Sequence, residues 1–300
     1  MVDVIIVGGG VAGLSAALIL GRCRRDVLLF DKGEPRNASS RALHGFLSRD
    51  GIPPLELLEI ARKELEKYTT VKLQHMEIMD AVRIDSGFRV TLNTGDTVEC
   101  KMLLLATGVA DELPEVDGLP EFYGTSIFHC PYCDGWEFSD QPIAIYGRDH
   151  RAFGLAMKML DWSPHLTLCS NGVPELDRDQ KEQLTVRKIS VIETPIQKFE
   201  GENGLLEQIR FQDGSSLPCK ALFFALGHKQ KSHLPEKLGC EFNDKGCVIT
   251  SDYESTCVPN LFVAGDASEQ LQLAIIAAAE GANAAFAINT ALQSTSAAGR

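Results

Sequence analysis

The run His129-Cys130-Pro131-Tyr132-Cys133-Asp134-Gly135 holds the side chains best suited to chemistry. A C-x-x-C dithiol can cycle between thiol and disulfide, and that exchange runs through the thiolate. The same spacing could be half of a zinc site, but the chain has no second C-x-x-C and no H-x3-H to complete one. The dithiol stands between Val7-Gly8-Gly9-Gly10-Val11-Ala12-Gly13 near the start and Ala264-Gly265-Asp266-Ala267 near the end. A dithiol between two halves of a dinucleotide fold points to flavin-linked thiol–disulfide chemistry.

The elements that must position these residues are legible in part. Val4 to Val7 reads as an apolar strand, Gly8, Gly10 and Gly13 supply G-x-G-x-x-G, and Leu14 to Leu20 continues as a helix. Val27 to Phe30 is a second strand ending at Asp31, an acid placed for ribose hydroxyls. Pro53 and Pro54 open an amphipathic helix with Leu55, Leu58, Ala61 and Leu65 inward. Val71 to Glu99 alternates as strands, and Met102 to Ala106 is a buried strand running into Thr107-Gly108.

The order then returns. Cys100-Lys101 precedes Gly108 by eight residues, and Cys219-Lys220 precedes Gly227 by the same eight. Gly147 follows the strand Ile143 to Tyr146 as Gly8 follows Val4 to Val7. Two related dinucleotide-type units are expected, or else a chance likeness between two meanders. From Glu236 the chain is expected to rejoin the first unit, with the strand Leu261 to Val263 reaching Gly265-Asp266 and an alanine-rich helix from Leu273 to Ala287. Its N-terminus suits a phosphate or an electron-rich ring. The tail from Thr290 to Arg300 is expected to be poorly ordered.

Composition bounds the function. In 300 residues, 44% hydrophobic, the net charge is −12, which argues against a nucleic-acid footprint. No signal peptide is legible, and no apolar run is read as approaching the roughly 18 to 20 residues of a membrane span. Nine cysteines, scattered apart from one pair, suit a reducing cytosol.

Assembled, these motifs resemble the low-molecular-weight thioredoxin reductase-like flavoproteins over nearly the whole chain. The carriers are Gly8 to Gly13, Ala106-Thr107-Gly108, Cys130 to Gly135, Ala225-Leu226-Gly227-His228 and Gly265-Asp266-Ala267. The resemblance implies an α/β protein of two Rossmann-like, three-layer domains, the second inserted into the first. Residues 1–111 and 236–300 would form an FAD-binding domain, and residues 112–235 an NADPH-type domain carrying the dithiol. It implies that Gly8, Gly10, Gly13 and Asp31 hold the adenosine diphosphate of FAD, with Thr107 and Gly108 also at the cofactor. Gly265, Asp266 and the backbone at Leu273 and Ala274 would face its ribityl and flavin parts. By the same transfer Cys133 faces the flavin, Cys130 exchanges with the substrate, and Asp134 moves the proton. Read alone, Asp134 could instead be a turn residue before Gly135, and His129 could favour a thiolate or end a strand. A cytoplasmic homodimer is expected.

The sequence departs from that pattern where NADPH should bind. After Tyr146 it reads Gly147-Arg148-Asp149-His150-Arg151-Ala152, with an aspartate for the second glycine. After Leu168 it reads Cys169-Ser170-Asn171-Gly172 in place of an arginine cluster. Arg148 and Arg151 could restore phosphate binding from neighbouring positions; otherwise the expectation is an FAD enzyme working without NADPH. Electrons would then pass between the dithiol and oxygen, a second FAD in the NADPH-type site, or ferredoxin. The substrate would be a small dithiol or disulfide or a thioredoxin-like protein. The rivals are an NADPH-dependent thioredoxin reductase and a non-enzymatic flavin redox sensor.

Overall fold

The computed structural model describes residues 1–268 and 271–298. Contacts divide the chain into two units: Met1–Ala38, Gly45–Ala110 and His228–Arg300 in the first, Ser39–His44 and Asp111–Gly227 in the second.

The first unit opens with β1 (Val2–Val7), α1 (Val11–Arg22) and β2 (Val27–Phe30), then α2 (Pro54–Leu65) and β3 (Val71–Gln74). α2 buries Leu57, Leu58 and Leu65, while Leu55, expected inward, is exposed. A meander follows, β4 (Ile78–Ile84), β5 (Gly87–Leu92) and β6 (Thr97–Leu105), and β7 (Val109–Asp111) leads out. The sheet order is β3-β2-β1-β6-β5-β4. β6 is long enough to do two jobs: Thr97 to Cys100 pair antiparallel with β5, and Met102 to Leu105 pair parallel with β1. The period of two along β1 then sorts its side chains. Val4 and Ile6 pack with Ala16, Ala17 and Leu20 of α1, and Ile5 and Val7 pack with Phe88 and Val90 of the meander.

The second unit repeats this plan. Its elements are α3 (Leu119–Phe122), β8 (Ile127–Phe128), α4 (Pro131–Asp134), a 3-10 turn at Trp136–Phe138, β9 (Ile143–Tyr146), α5 (His150–Met159), β10 (Leu166–Cys169), α6 (Arg178–Val186) and β11 (Ser190–Ile192). Then come β12 (Ile196–Glu202), β13 (Leu205–Phe211), β14 (Ser216–Pro218) and β15 (Ala221–Phe224). The parallel sheet runs β11-β10-β9-β15-β8. One face, through Ile143 and Ile145, meets Ala152, Ala156 and Met159 of α5; the other, through Ala144 and Tyr146, meets Ile209 and Phe211 of the meander. The counterpart of β6 is broken. Pro218 ends β14, β15 starts at Ala221, and the meander β12-β13-β14 becomes a separate sheet. Proline has no N–H with which to continue the ladder.

The chain rejoins the first unit at His228, eight residues before the expected Glu236, because β16 (His228–Gln230) pairs with β7. After α7 (Leu234–Lys237), β17 (Leu261–Val263) adds to β6 in parallel, and α8 (Ala274–Ala298) follows. The helix runs well past the expected Ala287. The tail expected to be poorly ordered is helical as far as Ala298, since alanine favours helix; Gly299 and Arg300 lie outside the described residues. Among the described residues one helix, Ala274–Ser294, is long and apolar enough to cross a membrane by length and composition alone, with mean hydropathy 1.3, though Glu280, Asn283 and Asn289 interrupt it. That helix packs along α1 within the core, and it carries the buried Glu280, whose Oε2 accepts from the Gly265 N–H at 2.6 Å.

The α1–α8 contact is close at two points. Ser15 Oγ donates to the Ala278 carbonyl at 2.7 Å, and a Cβ on Gly281 would stand 2.0 Å from the Ala12 carbonyl oxygen. Backbone cannot yield there as a side chain can. Gly281→Ala should therefore destabilise the first unit by about 1–3 kcal/mol, despite the roughly 1 kcal/mol by which alanine favours a helix over glycine. Thermal unfolding of the native chain and the variant measures this.

Candidate active site

In the first unit, three glycines shape the turn between β1 and α1. Gly8 has φ +108°, and a Cβ there would lie 2.2 Å from the Ala106 carbonyl oxygen. Gly13 is held as tightly, its Cβ position 2.0 Å from the Gly8 carbonyl oxygen. Gly10 differs. It is the N-cap of α1, and among the described residues no atom lies within 4 Å of its Cβ position, no side chain caps the helix, and no acid stands in the first turn. The open N–H groups and the positive end of the helix dipole form a place for an anion that brings no bulk requirement from the protein.

Asp31 is buried at the end of β2, 3.1 Å from the guanidinium of Arg62 on α2. A Cβ on Gly9 would stand 2.6 Å from the Asp31 carboxylate, so the middle glycine of the triplet makes room for the acid. Neither Arg62 nor the role of Gly9 was read from the sequence; the third consecutive glycine was the available signal. Gly108 has φ +64° with open space around it, and Thr107 Oγ1 is buried without a hydrogen-bond partner among the described residues. Gly265, φ +83°, gives its N–H to Glu280. Asp266 is engaged from the side by Arg36 at 2.8 Å, and Arg36 also donates to Gln272 at 2.6 Å. α8 begins at Ala274, and Leu273 accepts the bond from the Ala277 N–H. An uncapped helix end and an orphaned buried hydroxyl fit a dinucleotide cofactor of the FAD type.

In the second unit, Cys130 and Cys133 are joined as a disulfide with Cα atoms 5.4 Å apart. Cys130 is the N-cap of α4, Pro131 takes the first helical position, and Asp134 closes the short helix with its N–H on the Cys130 carbonyl. Gly135 has no room for a side chain: a Cβ would lie 2.5 Å from the Pro131 carbonyl oxygen and 3.0 Å from the Trp162 ring. Burial, with a smaller contribution from the charge of Glu137, pushes the Asp134 carboxyl up to about 7. A carboxyl so placed can hold or release a proton near neutrality, which suits general acid–base work beside a dithiol. His129 is turned to a different task, its Nδ1 3.7 Å from the Asp111 carboxylate, which also accepts the Tyr123 hydroxyl at 2.6 Å. Tyr132 stands edge-on to Trp162, and Trp136 is exposed.

The second glycine turn is closed where the first is open. Gly147 has φ +149°, but Asp149 is the N-cap of α5 and its carboxylate accepts the Arg151 N–H at 3.0 Å. Arg151 Nε pairs with the same carboxylate at 2.8 Å, and its Nη1 donates to the Leu226 carbonyl. Burial opposes ionisation of Asp149, but the hydrogen bonds from Arg151 outweigh it and hold the carboxyl below its ordinary value. Arg148 lies over the next turn, paired with Glu175 at 3.8 Å and so close to Gly172 that a Cβ there would be 2.3 Å from its Nη2. Ser170 Oγ bonds the Gly172 carbonyl and Asn171 Oδ1 accepts the Ile196 N–H, so both side chains serve the local backbone.

A fold of two such units, one holding a redox disulfide, defines a flavin-dependent disulfide oxidoreductase. The chain belongs to the pyridine nucleotide-disulphide oxidoreductase family, which it matches over residues 2–281. Within it the chain falls among the low-molecular-weight thioredoxin reductase-like enzymes, FAD-dependent disulfide oxidoreductases. It is 30% identical to the thioredoxin reductase tcpT of Claviceps purpurea, over 91% of this chain and 88% of that one. A solved structure from Bacillus anthracis named after thioredoxin reductase superposes with TM-score 0.93 at 34% identity, covering 98% of this chain and 99% of that one. An oxidoreductase from Agrobacterium tumefaciens does so with TM-score 0.90 at 35% identity, over 97% and 98% of the two chains.

The packing at Gly13 offers a direct check on the cofactor cradle. Gly13→Ala must displace either the Gly8 carbonyl or the helix, at about 1–3 kcal/mol. FAD retention should fall about tenfold, the equivalent of roughly 1.4 kcal/mol. The flavin-to-protein absorbance ratio after dialysis measures it, with circular dichroism to confirm that the chain remains folded.

Proposed function

We propose that this protein oxidises dithiols through the Cys130–Cys133 disulfide and its FAD, and that NADPH takes no part. The observation carrying the reading is the Asp149 carboxylate on the N-terminus of α5. A dinucleotide pyrophosphate would have to displace a bonded carboxylate of its own sign from the backbone N–H groups it needs. Arg151 is committed to that carboxylate and Arg148 to Glu175. Both cations that could have restored phosphate binding therefore have acidic partners.

In the proposed exchange a substrate thiolate attacks Cys130 Sγ and the bond to Cys133 breaks. The electron pair goes to Cys133 Sγ, which takes the Asp134 proton. The Asp134 carboxylate then accepts a proton from the second substrate thiol. That thiolate attacks the substrate sulfur of the mixed disulfide, releasing Cys130 and a substrate disulfide. FAD, when bound at the first unit's glycine turn, supplies the two-electron acceptor that regenerates the Cys130–Cys133 bond. The electrons leave for an acceptor other than NADP+, with dioxygen, a second FAD or ferredoxin the candidates. Seven free cysteines among the described residues support a cytosolic setting, and a homodimer is proposed from family likeness alone.

The names of the relatives favour a second reading, an NADPH-dependent thioredoxin reductase. Anaerobic titration separates the two. NADPH should leave the flavin oxidised, whereas dithiothreitol should bleach it in the native chain but not in Cys130→Ser. Rapid bleaching by NADPH that saturates at micromolar concentration would refute the proposal. Turnover with any small dithiol would also exclude a sensor that only binds flavin.

A further inference from the structure

Ser39–His44 is an excursion from the first unit's sequence that packs wholly within the second. Leu43 is buried, Arg41 donates to the Asn203 carbonyl, and Gly124 has no room for a Cβ beside the Ser39 backbone. The excursion ends at His44, whose Nε2 lies 3.4 Å from Glu137 Oε1. Glu137 sits in the 3-10 turn three residues beyond Asp134, and its charge acts on the Asp134 carboxyl. The chain has thus brought an imidazole to the acid whose charge acts on Asp134.

We propose that His44 and Glu137 form a positioning pair for the redox site: Glu137 supplies a negative charge three residues along the chain from Asp134, and His44, in contact with Glu137, sets how much of that charge is felt. The proposal rests on the reading of Asp134 as the proton donor to Cys133.

The other charged groups nearby have different partners. Lys158 of α5 stands over the Tyr132 ring at 5.4 Å, Arg41 holds the Asn203 carbonyl, and His129 faces Asp111. Glu137 is the charged group that acts on Asp134. A negative neighbour favours the protonated carboxyl, and a protonated imidazole on that neighbour opposes the effect. Removing Glu137 should therefore make Asp134 give up its proton at lower pH, and removing His44 should make it keep the proton to higher pH. Opposite shifts from the two partners of one contact are not what loss of packing would produce.

The test is the rate at which dithiothreitol reduces the Cys130–Cys133 bond in the FAD-loaded full chain. The reaction is followed anaerobically as bleaching of the flavin, which the reduced pair reduces in turn, and its rate is expressed per dithiothreitol thiolate across pH. Because the step needs a protonated Asp134, this rate should fall as pH rises through about 7 in the native chain. In Glu137→Gln the falling limb should move down by about one pH unit, in the range of a single neighbouring charge. In His44→Gln it should move up, and the double variant should follow Glu137→Gln. A limb unmoved in either single variant, or moved in the same direction by both, overturns the inference while leaving the dithiol chemistry standing. A native disulfide that dithiothreitol cannot reduce at any pH overturns both.

Discussion

A helix begins with backbone N–H groups that have no partner in the helix, and something negative or polar must meet them. The two units resolve this constraint in opposite ways. α1 starts at Gly10 with no capping side chain among the described residues, and α5 starts at Asp149 with its own carboxylate in place. An aspartate cap is worth about 1 kcal/mol to the helix it closes. The second unit has that stabilisation internally, while the first is left able to gain it from a bound phosphate. Two glycine turns of similar plan thus differ in what meets their helix N-termini.

The disulfide depends on a similar local economy of space. Pro131 starts α4, Gly135 lets the chain pass beneath Trp162, and between them the C-x-x-C spacing fits a single helical turn. Asp134 is carried on that turn into a half-buried position where its charged form is disfavoured. The other thiols show what desolvation does without function. Cys100 and Cys169, buried in strands, are pushed up to about 12, which leaves them unreactive near neutrality. The Cys130–Cys133 pair instead combines partial exposure, a spacing that fits one helical turn and a neighbouring carboxyl that can hold a proton near neutrality.

Local pattern made much of this legible in the sequence. The strand, glycine turn and helix at residues 4–20 announce themselves within one window, as do C-x-x-C-D-G and the aspartate at 149. What was hidden depends on contacts distant in sequence. Nothing at residues 39–44 signals that they pack in the other unit, because their partners lie at Glu137 and Asn203. Arg62 against Asp31 and Arg36 against Asp266 are equally remote pairings. The return at His228 was missed because three residues pairing with β7 make a weak pattern, and α8 was read short because alanine carries little amphipathic signal.

Gly147 shows why glycine pattern alone is a poor witness to nucleotide binding. Its φ of +149° and the 2.8 Å from its Cβ position to the Ala152 side chain make glycine a packing requirement between β9 and α5. That requirement persists whether or not a phosphate ever arrives. The same holds at Gly8 and Gly13, where the neighbours are the protein's own carbonyls. Only the middle position is free to report on the ligand, because it alone faces outward from the turn. Gly10 leaves the N-terminus of α1 open, and Asp149 fills that of α5. The difference between a cofactor site and a self-capped helix therefore rests on one side chain in each unit, within a scaffold whose other glycines are fixed by packing.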